Sequence, residues 1–227
     1  MDCTLLSTVL RERLEQVRER IEGAARRAGR RPDEITLVAI TKVFPASVIR
    51  EAYDLGLRDF GENYIQEFEG KFPEVAELAE ARFHFVGHLQ SNKARRATEL
   101  FHVIQTVDTP KLARRLDESG RRLPVMIEVK LSEEGSKSGA SPEELGALVD
   151  ALRSCENLDL TGLMTMPPWS DNAEDSRPFF IRLRGLAEQL GLGKLSMGMS
   201  HDLEIAIEEG ATHVRVGTAL FGSRRRA

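Results

Sequence analysis

The chain has 227 residues, of which 41% are apolar and 30% are charged, a mixture that can bury a sizeable core and is unlike a disordered chain. Its 32 Lys and Arg residues stand against 36 Asp and Glu residues, and the net charge of -4 gives no electrostatic reason to expect a nucleic-acid partner. Two cysteines cannot form a disulfide framework, and the lack of a signal peptide and of an apolar run of about 18 residues predicts a cytoplasmic protein without a membrane span.

The first 30 residues predict one amphipathic helix. Apolar residues recur at alternating spacings of four and three, which places them on one stripe of the helix. The stripe consists of Leu10, Leu14, Val17, Ile21, Ala24 and Ala28. Gly29 and Pro32 indicate where this helix ends. We expect it to pack on the main body of the protein, and packing against a partner helix is the alternative.

From residue 34 onward, short apolar segments alternate with amphipathic helical segments, which indicates repeated βα units and a parallel sheet. Eight such units over residues 34–222 predict a single (β/α)8 TIM barrel in one domain, residues 1–227, with an open doubly wound sheet as the alternative. The predicted strands are Ile35–Thr41, Asp59–Gly61, Phe83–Val86, Val103–Thr106, Val125–Val129, Leu158–Leu163, Lys194–Met197 and Thr212–Val216. The predicted helices cover 46–55, 63–70, 91–100, 109–119, 141–153, 174–190 and 201–209, with a short turn after 217.

Lys42 is the first candidate for chemistry, because it directly follows the first predicted strand. It shares one face of that strand with Thr36, Val38 and Ile40, so we expect it to point into the mouth of the barrel. Apolar surroundings disfavour the ammonium and lower the pKa of a lysine, and the neutral amine is a nucleophile toward aldehydes. The alternative, which has equal weight, is a lysine that extends into water at the end of a strand.

Arg215 is the second candidate, because it lies between two valines in the last predicted strand. A buried arginine is unfavourable unless it is paired, so this side chain is expected to have a fixed acceptor. The acceptor is either a carboxylate on a neighbouring strand or a bound ligand.

The loops after the seventh and eighth strands combine glycine with small hydroxyl residues. One contains Gly198 and Ser200, and the other begins with Gly217 and Thr218. Backbone N–H groups at helix N-termini bind phosphate, and in TIM barrels these two loops are frequent phosphate sites. Together the loops predict a phosphorylated ligand, although Ser200 alone could simply cap its helix.

Several other polar residues follow predicted strands. His84 and His88 suggest a metal at first sight, but a three-residue gap across the end of a strand separates their rings, and no metal site is expected. The polar segments 131–139 and 167–173 also follow strands and would lie at the mouth of a barrel. Their polarity alone favours ordinary surface connections.

Seven segments form a further pattern, in this order: Ala39–Lys42, Phe60–Glu67, His84–Lys93, Ser136–Gly139, Gly162–Met166, Met197–Ser200 and Val214–Gly222. In these segments the chain resembles the pyridoxal phosphate homeostasis proteins, formerly called proline synthetase co-transcribed proteins. The resemblance covers nearly the whole chain. It implies the barrel of the alanine racemase N-terminal domain and bound pyridoxal 5′-phosphate (PLP).

The resemblance also implies roles for individual residues. Lys42 would form a Schiff base with the cofactor aldehyde, and Arg215 would face the pyridine nitrogen. A guanidinium at that position disfavours protonation of the ring, which makes the ring a poorer electron sink. The other implied contacts are to the phosphate, from Ser200, Gly217 and Thr218, and to the ring or its pocket, from Asn63, His84 and Met164.

The function implied by the resemblance is intracellular PLP homeostasis, by buffering or delivery of the cofactor, with effects on amino- and keto-acid balance. We expect no catalytic residue and no robust catalysis, because the sequence has no second domain to supply a racemase tyrosine. A PLP-dependent amino-acid racemase is the first alternative, and a Schiff-base aldolase that uses Lys42 is the second. The expected partners are PLP and, as candidates, apo PLP enzymes, and the default oligomeric state is a monomer.

Overall fold

In the computed structural model, which describes residues 3–132 and 138–222 and side chains from residue 8 onward, parallel strands form a closed barrel. The strands are β1 (Thr36–Ile40), β2 (Asp59–Glu62), β3 (Arg82–Phe85), β4 (Val103–Val107), β5 (Leu123–Glu128), β6 (Leu158–Met164), β7 (Lys194–Ser196) and β8 (His213–Val216). The helices are α1 (Cys3–Arg27), α2 (Ala46–Asp54), α3 (Ile65–Lys71), α4 (Ala94–Leu100), α5 (Pro110–Asp117), α6 (Leu145–Arg153), α7 (Arg177–Leu190), α8 (Leu203–Glu208) and α9 (Thr218–Phe221).

The barrel closes because β1 pairs with both β2 and β8. Val38 on β1 lies opposite Asp59 on one side and opposite Arg215 on the other. This closure confirms the predicted (β/α)8 barrel and excludes the open doubly wound sheet. Since every strand pair is parallel, the carboxyl ends of all the strands meet at one mouth.

The predicted elements are all present, but several boundaries were wrong. The helix predicted over 141–153 begins only at Leu145, because residues 141–144 form a turn in which the Ser141 N–H donates to the Glu144 carboxylate over 2.8 Å. The helices predicted from 91 and from 174 each begin with a short 3-10 segment. The residues of these single turns follow a helical pattern in the sequence, but they form 3-10 turns and are not part of the α-helices. Within the polar segment predicted at 131–139, positions 133–137 lie outside the described residues.

The extra N-terminal helix α1 packs on the barrel through its apolar stripe. Leu10, Leu14, Val17 and Ile21 are buried, and the helix contacts α8 and α9. The predicted helix over the first 30 residues ends at Arg27, where Gly29 adopts a φ of +65° and the following N–H bonds back into the last turn. Helix α1 therefore packs within the chain, as the sequence predicts, rather than only on a partner.

Candidate functional site

The loop that follows β1 presents Lys42 at the mouth of the barrel. Lys42 is partly buried, and its neighbour Val43 has a φ of +65°, a left-handed conformation that a β-branched residue rarely adopts. The Val43 N–H donates to Glu67 Oε1 on α3 over 2.5 Å. The turn that aims Lys42 is therefore strained and is held in place from the neighbouring βα unit.

A buried ionic cluster fixes the same turn from below. Lys71 Nζ donates to the Thr41 carbonyl over 3.0 Å and to Glu62 Oε1 over 2.9 Å, and it lies 2.5 Å from Glu67 Oε1. Glu62 also accepts from the Thr41 hydroxyl over 2.8 Å. Burial raises the pKa of Glu62, and Lys71 opposes that rise. The backbone immediately before Lys42 is thus anchored to charged side chains that are themselves buried.

The predicted phosphate loops contact each other at the cavity that Lys42 also lines. Ser200 Oγ, after β7, accepts from the Ala219 N–H in the first turn of α9 over 3.2 Å. Gly217 begins that turn, and a Cβ there would lie 3.4 Å from Ile40 Cβ. Gly198 adopts a φ of +89° and leaves no room for a Cβ against Ala206. The loop after β7 therefore depends on glycine at Gly198.

Arg20 supports this loop from α1, a contribution that the sequence did not reveal. Its Nη2 donates to the Ser200 carbonyl over 2.9 Å, and its guanidinium makes two hydrogen bonds of 2.6 and 2.7 Å to Glu204 on α8. Burial is the largest influence and tends to raise the pKa of Glu204, but the hydrogen bonds and the charges of Arg20 and Arg27 together lower it. The extra helix therefore holds the Ser200 loop as well as covering apolar surface.

Arg215 projects from β8 into the barrel and is 4% exposed. Its Nη1 donates to Ser196 Oγ over 2.7 Å, and its Nη2 donates to the Thr165 carbonyl over 2.8 Å. Burial lowers the pKa of Arg215 to about 10, while Glu128 and Asp202 oppose the shift. The sequence predicted a fixed acceptor and named a carboxylate or a ligand; the protein acceptors in the structure are instead a hydroxyl and a backbone carbonyl. The guanidinium remains a cation at neutral pH.

His84 lies deeper in the barrel and reaches Arg215 only through other side chains. Ser196 Oγ donates to Gln105 Oε1 over 2.6 Å, and Gln105 Nε2 lies 3.0 Å from His84 Nδ1. His84 Nε2 lies 2.8 Å from Asp59 Oδ1. With the amide in this orientation, the ring accepts at Nδ1 and donates at Nε2. One hydrogen-bond chain therefore runs from Asp59 near the closed end of the barrel to Arg215.

A cavity of about 510 Å³ at the mouth brings most of the sequence-predicted residues together. Of those residues, Lys42, Asn63, Ser200, Arg215, Gly217 and Thr218 line it. His84 and Met164 do not line it; both are buried, and Met164 ends β6 next to Thr165, whose carbonyl accepts from Arg215. The main chain of Asn63 is packed so closely on Gly87 that a Cβ there would lie 2.1 Å from the Asn63 oxygen.

Trp169 and His201 also line the cavity, although neither was singled out in the sequence for a role there. Their rings stack with centroids 4.9 Å apart, and Trp169 remains 72% exposed. The loop after β6 therefore reaches across to the loop after β7 at the rim. The sequence placed this loop at the mouth of the barrel, but the polar residues around Trp169 favoured an ordinary surface connection.

Within residues 3–132 and 138–222, no group of three His, Cys, Asp or Glu side chains is arranged to hold a metal ion. Over the same residues, no helix combines the length and the apolar character that crossing a bilayer requires.

The fold and the site define a parallel barrel with a lysine after its first strand, an arginine in its last strand and two loops of small residues that line the same cavity. Residues 13–225 match the model of the alanine racemase N-terminal domain. The chain is 48% identical over 225 residues to the pyridoxal phosphate homeostasis protein of Pseudomonas aeruginosa, covering 96% of this chain and 97% of that one. It is 43% identical over 227 residues to the Aquifex aeolicus protein of the same name, covering 94% and 98%. The chain belongs to the family of pyridoxal phosphate homeostasis proteins, which are named for homeostasis rather than for a reaction.

Solved structures give the same placement. PipY of Synechococcus elongatus, in a structure with PLP bound, aligns with a TM-score of 0.83 at 38% identity and covers 94% of this chain and 100% of that one. Alanine racemase from Corynebacterium glutamicum aligns with a TM-score of 0.68 at 18% identity, over 91% of this chain and 60% of its own, which shows a shared fold.

Proposed function

We propose that this chain binds PLP covalently through Lys42 and serves in intracellular PLP homeostasis. The observation that carries the proposal is that Lys42, Arg215 and Ser200 line one cavity. PLP supplies an aldehyde that reacts with amines, a pyridine ring and a phosphate. The cavity offers an amine, a fixed guanidinium and a group of hydroxyl and N–H donors, so each part of the cofactor has a matching partner.

The two small-residue loops are suited to the phosphate. Ser200 contributes a hydroxyl, and the chain at Gly217 and Thr218 contributes backbone N–H groups where α9 begins. Asn63 also lines the cavity and is assigned to the ring. Because Arg20 holds the Ser200 carbonyl, it preserves the shape of the phosphate site without touching the ligand.

Arg215 is assigned to the pyridine nitrogen. Ser196 and Thr165 hold the guanidinium in place, so its positive charge would lie beside the ring. A neighbouring cation disfavours protonation of the nitrogen and weakens the ring as an electron sink. His84 acts on this contact through Gln105 and Ser196, and Met164 supports the adjoining wall of the barrel.

A carrier is favoured over a racemase by the position of the tyrosines. Tyr53 lies on α2 with the Arg58 guanidinium 4.1 Å above its ring, and Tyr64 lies at the start of α3. Neither residue lines the cavity, so neither offers a second acid or base at the cofactor. The aldolase alternative would use Lys42 and the phosphate loops but leaves Arg215 without a role.

The first experiment tests covalent binding. The protein is incubated with PLP and treated with borohydride, and the modified peptide is identified by mass spectrometry. We expect the cofactor on Lys42, its loss in Lys42→Ala, and its retention in the control Lys130→Ala, a lysine that lines the neighbouring cavity. Modification distributed over several lysines, or none after reconstitution, would contradict the proposal.

The second experiment tests the homeostatic role. The PLP-loaded protein is mixed with an apo PLP enzyme, and activation is compared with that by an equal concentration of free PLP. Faster activation supports delivery, whereas slower and complete activation supports storage. Conversion of an L-amino acid to its D-enantiomer well above the rate with free PLP would favour the racemase instead.

A further inference from the structure

A second cavity of about 550 Å³ opens beside the cofactor cavity at the same mouth. The two cavities share five lining residues, so molecules bound in them would be adjacent; these are Asn63, Val86, Met166, Trp169 and Met199. Of the residues assigned to PLP, Asn63 is the one that lines this second cavity among the described residues. Glu128, the last residue of β5, lines its inner end.

Glu128 is a buried acidic residue on the lining of this cavity. The residue is 4% exposed, and among the described residues its side chain makes no hydrogen bond and no ion pair. Its neighbours Ile127 and Val129 belong to the apolar layer around the barrel, so Glu128 points the opposite way, into the interior and the cavity. A carboxylate in this position takes its hydrogen-bond donors from whatever fills the cavity, whether solvent or a ligand.

The charges that face Glu128 come from several elements. Burial, which is the largest influence, and the charge of Asp108 after β4 together raise the pKa of Glu128 to about 7, while Arg215 on β8 opposes the rise. His88 after β3 lies 3.6 Å from Asp108, and Lys130 lines the same cavity. A molecule that enters this cavity therefore meets a buried carboxyl whose pKa is raised toward neutral pH.

We propose that the second cavity binds a small primary ammonium compound and that Glu128 accepts a proton from it beside the cofactor. This inference rests on the proposed function, because the ammonium compound would compete with Lys42 for the bound PLP. Primary amines are almost fully protonated at neutral pH, and only the neutral form reacts with an aldehyde or its amine adduct.

The proton balance is simple. The ammonium compound R–NH3+ transfers one proton to the Glu128 carboxylate, which gives R–NH2 and a neutral carboxylic acid. In the exchange that would follow, a bond forms between the amine nitrogen and the carbon of the PLP aldehyde group, and the bond between that carbon and Lys42 Nζ breaks. Glu128 then returns its proton to solvent through the open cavity, and the exchange needs no oxidant or reductant.

The test uses PLP-loaded protein and ethylamine. At pH 7, the fraction of protein in which borohydride fixes PLP to Lys42 is followed after addition of ethylamine. We expect Glu128→Gln to slow the loss of that fraction by about a hundredfold, the lower end of the range for general bases. The control Glu118→Gln, an exposed residue at the end of α5, should match the wild type. Equal rates for Glu128→Gln and wild type would overturn the inference.

A second measurement does not depend on PLP. In the cofactor-free protein, carbon NMR follows the titration of the Glu128 carboxyl with and without ethylamine. Binding of the ammonium should lower the pKa of Glu128, and Asp108→Asn should lower it without any ligand, because Asp108 raises it. An unchanged titration on addition of ethylamine would overturn the inference even if PLP binds. Failure of borohydride to label wild-type Lys42 would instead overturn the proposed function.

Discussion

Arg215 donates to the hydroxyl of Ser196 over 2.7 Å, and that hydroxyl in turn donates to Gln105. The guanidinium at the cofactor cavity is therefore positioned by a residue that does not line the cavity. The direction of each bond is determined, because a guanidinium can only donate and the Gln105 oxygen can only accept.

Ser196→Ala should weaken the placement of Arg215. The substitution leaves the Arg215 Nη1 and the Gln105 oxygen without their partner, so we expect a loss of about 1–3 kcal/mol in the free energy of unfolding. PLP affinity should also fall, measured by titration of the cofactor absorbance. Ser154→Ala, an exposed serine after α6, is the control; an equal effect there would contradict the role of Ser196.

Lys71→Met should be strongly destabilising, because it leaves Glu62 buried without its cation. Removal of one partner of a buried ion pair costs about 3–5 kcal/mol, as measured by urea unfolding. The double variant Lys71→Met, Glu62→Gln should recover part of that loss. If the two single effects simply add in the double variant, the residues do not act as a pair.

Val43→Gly should not destabilise the protein, although glycine usually does. The φ of +65° at Val43 strains a β-branched residue, and glycine adopts it freely. Relief of the strain should offset the greater backbone entropy of the unfolded chain. The comparison is Ala151→Gly, within α6, which should lose about 1 kcal/mol in thermal or urea unfolding because glycine is the poorer helix former. An equal loss in Val43→Gly would show that the turn is not strained.

Arg20→Met should reduce PLP affinity several-fold from outside the cavity. The substitution removes the bond to the Ser200 carbonyl and the pair with Glu204, so the loop becomes less well ordered. Arg27→Met is the matched control. Arg27 is also on α1 and pairs with Glu208 on α8, but it does not contact the loop. Equal affinities for the two variants would contradict the supporting role of Arg20.

His213 should make the protein sensitive to acid. Burial lowers the pKa of His213 from 6.5 to about 3, so between these values the unfolded chain binds a proton that the folded chain does not. Stability from this residue is present above pH 6.5 and falls by up to about 1.4 kcal/mol per pH unit as the pH decreases toward 3.

The measurement is the pH dependence of urea unfolding between pH 7 and pH 4. His213→Gln should show a shallower loss of stability than the wild type, whereas His201→Gln, at an exposed position, should follow the wild-type slope. Parallel slopes for wild type and His213→Gln would show that the histidine is protonated in the folded state.

The barrel and its mouth could be predicted because their signals are local. The apolar period of each strand and the glycines of the phosphate loops are visible in short segments, and so is the position of Lys42 at the end of a strand. The roles of Arg20 and Lys71 could not be predicted, because they depend on contacts across 180 and 30 positions of the chain. A resemblance based on motifs also could not show that His84 is separated from the cavity by Gln105 and Ser196.

Trp169 is the one tryptophan of the chain, and its indole stacks on His201 at the rim of the cofactor cavity. Intrinsic fluorescence excited at the indole therefore reports from this single place. Filling of the pocket by a chromophore should quench the emission through energy transfer, and departure of the chromophore should restore it. Loading and unloading can thus be followed in real time on the unlabelled native molecule.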